Sequence, residues 1–148
     1  MEYIGIDYGH KIIGLSWGSD VLELVVPLKP ICNFTTFEQI LKQLKTVIYE
    51  KGCDAIVVGL PIHMNGQIGQ RAHEVENFAH KLQPYVHLPI HFQDERLSTQ
   101  AAYYLSGYKT ESLAKAKQRK QRGIIDSQSA MIILQDYLDQ QKLSPSTL

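Results

Sequence analysis

The stretch Ala55-Ile56-Val57-Val58 most narrows what this chain can become, because a run of adjacent apolar residues leaves no polar face for water. A short strand of this kind is covered on both sides, as in a sheet with helices above and below it. The flanking segments supply such helices. Upstream, Thr35 and Thr36 precede Glu38 and Gln39 at capping-box spacing, and Phe37, Ile40, Leu41, Leu44, Val47 and Ile48 repeat at helical intervals until Gly52. Downstream, beyond a loop over 60–69, Ala72, Val75, Phe78, Ala79 and Leu82 mark a second helix that Pro84 is expected to close.

Residues 2–8 and 11–17 read as strands joined by a tight turn at Gly9-His10, 21–28 as a third strand before Pro30, and 89–95 as the last. Ser98 or Thr99 suits the cap of a short helix ending near Leu105, and a final helix covers about 124–140. The order of strands and helices implies one mixed sheet in an α/β domain over 1–142, with 143–148 as a flexible tail. A length of 148 residues fits one such domain and is too short for two substantial lobes.

No apolar run approaches the roughly 20 residues a spanning helix needs, so no membrane partner is expected. The N-terminus, Met1-Glu2-Tyr3-Ile4, lacks the basic-then-apolar layout of a secretion signal, which points to the cytoplasm. Cys32 and Cys53 have no zinc or redox spacing and read as buried free thiols. The histidines form no HxH or HExxH pattern, and no serine sits in a GxSxG context, so neither zinc nor serine-nucleophile chemistry has support.

Asp7 ends the first strand just before Gly9, and Glu95 ends the last in the run His91-Phe92-Gln93-Asp94-Glu95-Arg96. In open α/β sheets, sites form where loops leave the strand ends. If the crossovers are right-handed, both carboxylates face one edge. Asp126 lies in register with Ala130, Ile133, Leu134 and Tyr137, the helical stripe that should pack on the sheet. A carboxylate in apolar surroundings protonates, pairs with a cation or binds a metal. Three converging acids call for a divalent cation, and hard oxygen donors suit magnesium or manganese. Each acid also has a plain structural reading: Asp7 as a turn-former, Glu95 as a surface ion pair with Arg96, and Asp126 as the N-cap of a helix starting at Ser127.

The formal charge is zero from 15 basic and 15 acidic residues, yet Lys115, Lys117, Arg119, Lys120 and Arg122 crowd into one acid-free stretch. Such a run is either a solvated linker or, placed just before Asp126, a guide for a polyanionic backbone. The loop Gly59-Leu60-Pro61-Ile62-His63-Met64-Asn65-Gly66 follows a strand and precedes a helix. Its amides would either face a phosphate or form an ordinary Asn-Gly turn.

Taken in order, Ile4-Gly5-Ile6-Asp7-Tyr8-Gly9 with Ile13-Gly14-Leu15, Val57-Val58-Gly59-Leu60-Pro61 with Gly66, Asp94-Glu95-Arg96-Leu97-Ser98-Thr99, and Asp126 ahead of Ala130 and Ile133-Leu134 resemble one known family. This is the YqgF family of RNase H-like proteins, also described as candidate Holliday junction resolvases, and the resemblance spans almost all of residues 3–138. It implies an RNase H-like fold with a mixed five-stranded sheet of three antiparallel plus two parallel strands. It also implies Asp7, Glu95 and Asp126 as active-site acids, and a role in maturing the small-subunit ribosomal RNA precursor. Ile12, Gly123 and Ser129 depart from residues frequent in the family, Arg, a basic residue and Ala respectively, and Lys11 and Arg122 stand near enough in sequence to supply the missing charge.

The expectation is therefore a nuclease in which Mg2+ or Mn2+ is held by Asp7, Glu95 and Asp126, while Lys11, Arg96, Lys117, Arg119 and Lys120 contact the phosphates of an RNA precursor or structured DNA. A resolvase acting on branched DNA would need a homodimer to cut two strands together. A non-catalytic nucleic-acid-binding module for ribosome assembly is the reading from another class.

Overall fold

A computed structural model describes residues 1–95 and 124–143, the latter with side chains from Ser127 onward. Five strands and three helices follow in the order β1 (Glu2–Asp7), β2 (Ile13–Ser19), β3 (Leu24–Ile31), α1 (Phe37–Lys51), β4 (Ala55–Leu60), α2 (Gln70–Val86), β5 (Ile90–Asp94) and α3 (Ile124–Leu143). The sheet order is β3-β2-β1-β4-β5, with β1–β2 and β2–β3 antiparallel and β1–β4 and β4–β5 parallel. This is the mixed five-stranded α/β sheet expected from the sequence.

Alternation along the strands sorts the core into two layers. Ile4, Ile6, Ile56 and Val58 point to one face and pack with Leu44 of α1 and Val75, Phe78 and Leu82 of α2. Tyr3, Ala55 and Val57 point to the other and pack with Ile133, Leu134 and Leu138 of α3. The apolar run in β4 is continuous because α1 and α2 cover one side and α3 the other.

Helix α1 starts where its capping box predicts. The Thr36 hydroxyl accepts from the Gln39 amide at 3.3 Å, and the Gln39 side chain accepts from the Thr36 amide, also at 3.3 Å. It stops at Gly52, whose φ of 60° is the left-handed conformation glycine adopts without strain. Thr36→Ala is expected to cost about 1 kcal/mol, read as a lower denaturant midpoint with an unchanged slope.

Three boundaries and the burial of one cysteine differ from expectation. Helix α2 continues through Pro84 to Val86, because Val86 still packs on the core and this outweighs the hydrogen bond the proline cannot donate. The Gln83 side chain then donates to the Leu88 carbonyl at 2.7 Å. Strand β3 is displaced from 21–28 to Leu24–Ile31, since a turn, with Glu23 at φ 52°, takes up the residues before it. Pro27 and Pro30 are tolerated there because β3 is an edge strand and its register shifts opposite Ile13–Leu15. The turn at Gly9-His10 is a longer connection over residues 8–12, because the Tyr8 ring leaves the sheet to stack on Phe78 at 4.3 Å between centroids. Both cysteines are free, but only Cys53 is buried, and burial pushes its thiol up to about 11; Cys32 is half-buried. The proposed helix from Ser98 or Thr99 to Leu105 lies outside the described residues.

Candidate active site

Two of the three acids meet on one face of the sheet. Asp7 is in phase with Tyr3 and Gly5 along β1, so it projects toward α3 at the carboxyl end of the strand. Glu95 directly follows β5, and its amide donates to the Leu60 carbonyl at 3.2 Å, which fixes it at the same end of the parallel strands. Strand β4 lies between them, and Gly59 leaves the room they need. A Cβ there would stand 3.1 Å from the Glu95 carboxyl carbon and 2.4 Å from the Ile133 side chain.

The same lack of a side chain at Gly5 lets α3 approach. The Ser16 hydroxyl donates to the Ala130 carbonyl at 2.7 Å, and the Ser127 hydroxyl donates to the Leu28 carbonyl at 2.7 Å. Leu28 pairs with Leu15, and Leu15 with Ile6. The start of α3 is thereby set at the level of the last residues of β1, the end from which Asp7 projects. Since α3 begins at Ile124, Asp126 belongs to its first turn rather than serving as the cap of a helix that opens at Ser127. The Asp126 side chain lies outside the described residues. Among the described residues, no three His, Cys, Asp or Glu side chains are grouped to hold an ion.

The electrostatics of the pair are unbalanced. Burial pushes the Glu95 carboxyl up to about 7, the charge of Asp7 adds to the rise, Arg71 opposes it, and Asp94 and Asp136 add smaller contributions. A carboxylate pair whose ionisation is resisted by burial and mutual repulsion fits a hard divalent cation, which would neutralise both and accept oxygen donors. On donor chemistry, then, the residues fit magnesium or manganese.

Arg71 and Asp136 are absent from the sequence-based set. The Arg71 guanidinium donates to the Tyr8 carbonyl, lies 3.5 Å from Glu74 and stands 5.9 Å from the centre of the Tyr8 ring. His10 holds Glu74 at 2.7 Å, and this bond, with Arg71 adding to it, keeps the Glu74 carboxyl below its usual range. Arg71 had one legible signal: a cation in the first turn of a helix opposes the helix dipole, so another charge nearby must compensate it. Asp136 is buried, only 5% exposed, and sits one turn beyond Ile133.

The remaining expectations divide simply. Lys11 is exposed on the connection after Asp7. Arg96, Lys117, Arg119 and Lys120 lie outside the described residues. In the loop after β4, the amides of His63, Gly66 and Gln67 all donate within the loop, and Gly66 has φ 87°, so this segment is an Asn-Gly turn closed on itself rather than a set of amides directed outward. His91 packs its ring on Tyr137 at 5.4 Å.

The family described as RuvX, Holliday junction resolvase, matches residues 1–140. The chain belongs to the RuvX family. Among RuvX-like relatives, a protein of Geobacillus kaustophilus is 38% identical over 143 residues, covering 96% of this chain and all 100% of that one. A protein of Synechocystis sp. is 36% identical over 139 residues, covering 92% and 86%. Both are named as candidate pre-16S rRNA nucleases. The fold is also that of Thermus thermophilus RuvC, solved in complex with a Holliday junction substrate, at a TM-score of 0.57, 15% identity and coverage of 97% and 96%. The fowlpox virus Holliday junction resolvase superposes at a TM-score of 0.53, with 8% identity and coverage of 95% and 99%. No helix among the described residues is long and apolar enough to cross a membrane.

Proposed function

We propose that this chain is a metal-dependent nuclease, a hydrolase of phosphodiester bonds that matures the small-subunit (16S) rRNA precursor in the cytoplasm. One observation carries the reading: Asp7 and Glu95 share a sheet face and strand end, and burial together with Asp7 opposes ionisation of Glu95. Family membership and relatives named as candidate pre-16S rRNA nucleases support the choice of substrate.

Asp7, Glu95 and Asp126 would hold Mg2+ or Mn2+, and a bound ion supplies Lewis-acid stabilisation of phosphate charge and a more acidic water. The residues themselves do the positioning. Gly59 leaves room for the Glu95 carboxylate on the face it shares with Asp7, and contacts of Ser16 and Ser127 seat α3, which carries Asp126. Lys11, Arg96, Lys117, Arg119 and Lys120, with Arg71 beside the acids, are proposed to hold the phosphate backbone in register.

The deciding assay compares cleavage of precursor rRNA and of a four-way DNA junction, with Mg2+, with Mn2+ and with chelator. Precursor RNA cut only when metal is present is the expected result. Preference for the junction by a homodimeric chain would replace this reading with a resolvase, which the family description favours. Chelator-insensitive binding without any cleavage would leave a nucleic-acid-binding assembly module instead.

A further inference from the structure

We propose that Glu74 is a positioning residue of the nucleic-acid interface, holding Arg71 directly and Lys11 through His10 so that both cations are set to meet phosphates. The proposal rests on the nuclease reading and adds to it the acid that places two of its cations. Glu74 lies in the second turn of α2, and a single oxygen, Oε2, stands 2.7 Å from Nε2 of His10 and 3.5 Å from the guanidinium of Arg71. Another nitrogen of that guanidinium donates to the Tyr8 carbonyl. One carboxylate thus ties α2 to both ends of residues 8–10, directly ahead of the exposed Lys11.

The sheet itself does not hold this connection. The β1–β2 ladder ends at the pair Asp7 and Gly14, and among the described residues no backbone hydrogen bond outside the helices and strands involves residues 8–12. Stacking of Tyr8 on Phe78 fixes the start, and beyond it the contact of His10 with Glu74 ties the stretch to α2. The bond from His10, with Arg71 adding to it, keeps the Glu74 carboxyl below its usual range, so the group at the centre stays ionised at neutral pH. Exposed ion pairs of this kind add little to stability, so what they decide is where the paired groups stand. The location matters because the charge of Arg71 is felt at Glu95, where it opposes the rise in that carboxyl. Glu74, being an anion, would repel a phosphate and acts only through the groups it holds.

The test turns on a sign. If Glu74 acted by charge alone, replacing it would remove an acid from a phosphate-binding surface and tighten binding. Positioning predicts the reverse. Glu74→Ala is expected to bind a labelled fragment of precursor rRNA roughly tenfold more weakly than the parent, with a shallower dependence on salt as phosphate contacts are lost. Fluorescence anisotropy on the full chain in chelator reads this without turnover. Glu74→Gln keeps an acceptor in the same place and is expected to bind within about threefold of the parent. His10→Ala, an exposed change, is expected to show part of the loss and to add nothing in a Glu74→Ala background. It also answers the question if Glu74→Ala fails to fold. Unchanged or tighter binding in Glu74→Ala and His10→Ala, or a loss in Glu74→Gln equal to that of Glu74→Ala, overturns the positioning role and leaves the nuclease reading standing. A parent chain that neither binds nor cuts the precursor overturns both.

Discussion

Glu95→Gln is expected to abolish metal-dependent cleavage and, in metal-free buffer at pH 8, to make the protein more stable than the parent. The two effects share one cause. An unfolded glutamate ionises near its ordinary value of 4.5, whereas in the folded chain burial, with help from Asp7, delays ionisation to about 7. Between those values the folded state holds a proton that the unfolded state has released, so stability falls as pH rises through the window and remains reduced above it. The amide carries no charge and escapes the loss. Its advantage should be on the order of 3 kcal/mol at pH 8 and close to nothing at pH 4, corresponding to a rise of about 5–10 °C in midpoint at the higher pH. Mg2+ or Mn2+ should stabilise the parent and have little effect on the variant. Thermal unfolding across pH, with and without metal, reads both. Equal pH profiles for parent and variant would refute the buried-acid account, and an active variant would remove Glu95 from the chemistry.

Legibility in the sequence follows the range of the interaction that decides each feature. Thr36, Gln39 and Gly52 act within a turn or so of themselves, and the limits of α1 could be read directly. Placing Asp7 and Glu95 at one edge needed only their positions at strand ends and crossover handedness, both general rules. What escaped depends on contacts distant in sequence. Pro84 looks like a stop signal, but Val86 packs on the core and carries α2 past it. Arg71 reaches the Tyr8 carbonyl 63 residues away, a pairing that no local pattern records. Asp136 lies near Tyr137 on the predicted stripe, yet its influence on Glu95 arises only when α3 and β5 are packed together.

Gly5→Ala is expected to cost far more than one methyl usually does, because it separates α3 from the sheet. An added Cβ would stand 2.3 Å from the Ser16 hydroxyl, 2.9 Å from the Ala130 carbonyl and 3.0 Å from the Leu134 Cβ. The hydroxyl is already committed to Ala130, and the other two atoms belong to the helix, so α3 must shift. Overpacking together with a lost buried hydrogen bond places the cost at about 3 kcal/mol or more. Gly52→Ala is the control: its Cβ would meet nothing within 4 Å, and only its φ of 60° opposes the change. That cost should stay near 1 kcal/mol. In a Ser16→Ala background one of the three obstructing atoms is gone, so Gly5→Ala should be measurably less damaging than in the parent, a departure from additivity expected of touching residues. Because α3 carries Asp126, the stabilisation conferred by Mg2+ or Mn2+ should shrink in Gly5→Ala and survive in Gly52→Ala. Chemical denaturation of the five chains (parent, Gly5→Ala, Gly52→Ala, Ser16→Ala and Ser16→Ala with Gly5→Ala) settles the packing argument. If Gly5→Ala costs no more than Gly52→Ala, close approach of the helix is not what position 5 provides.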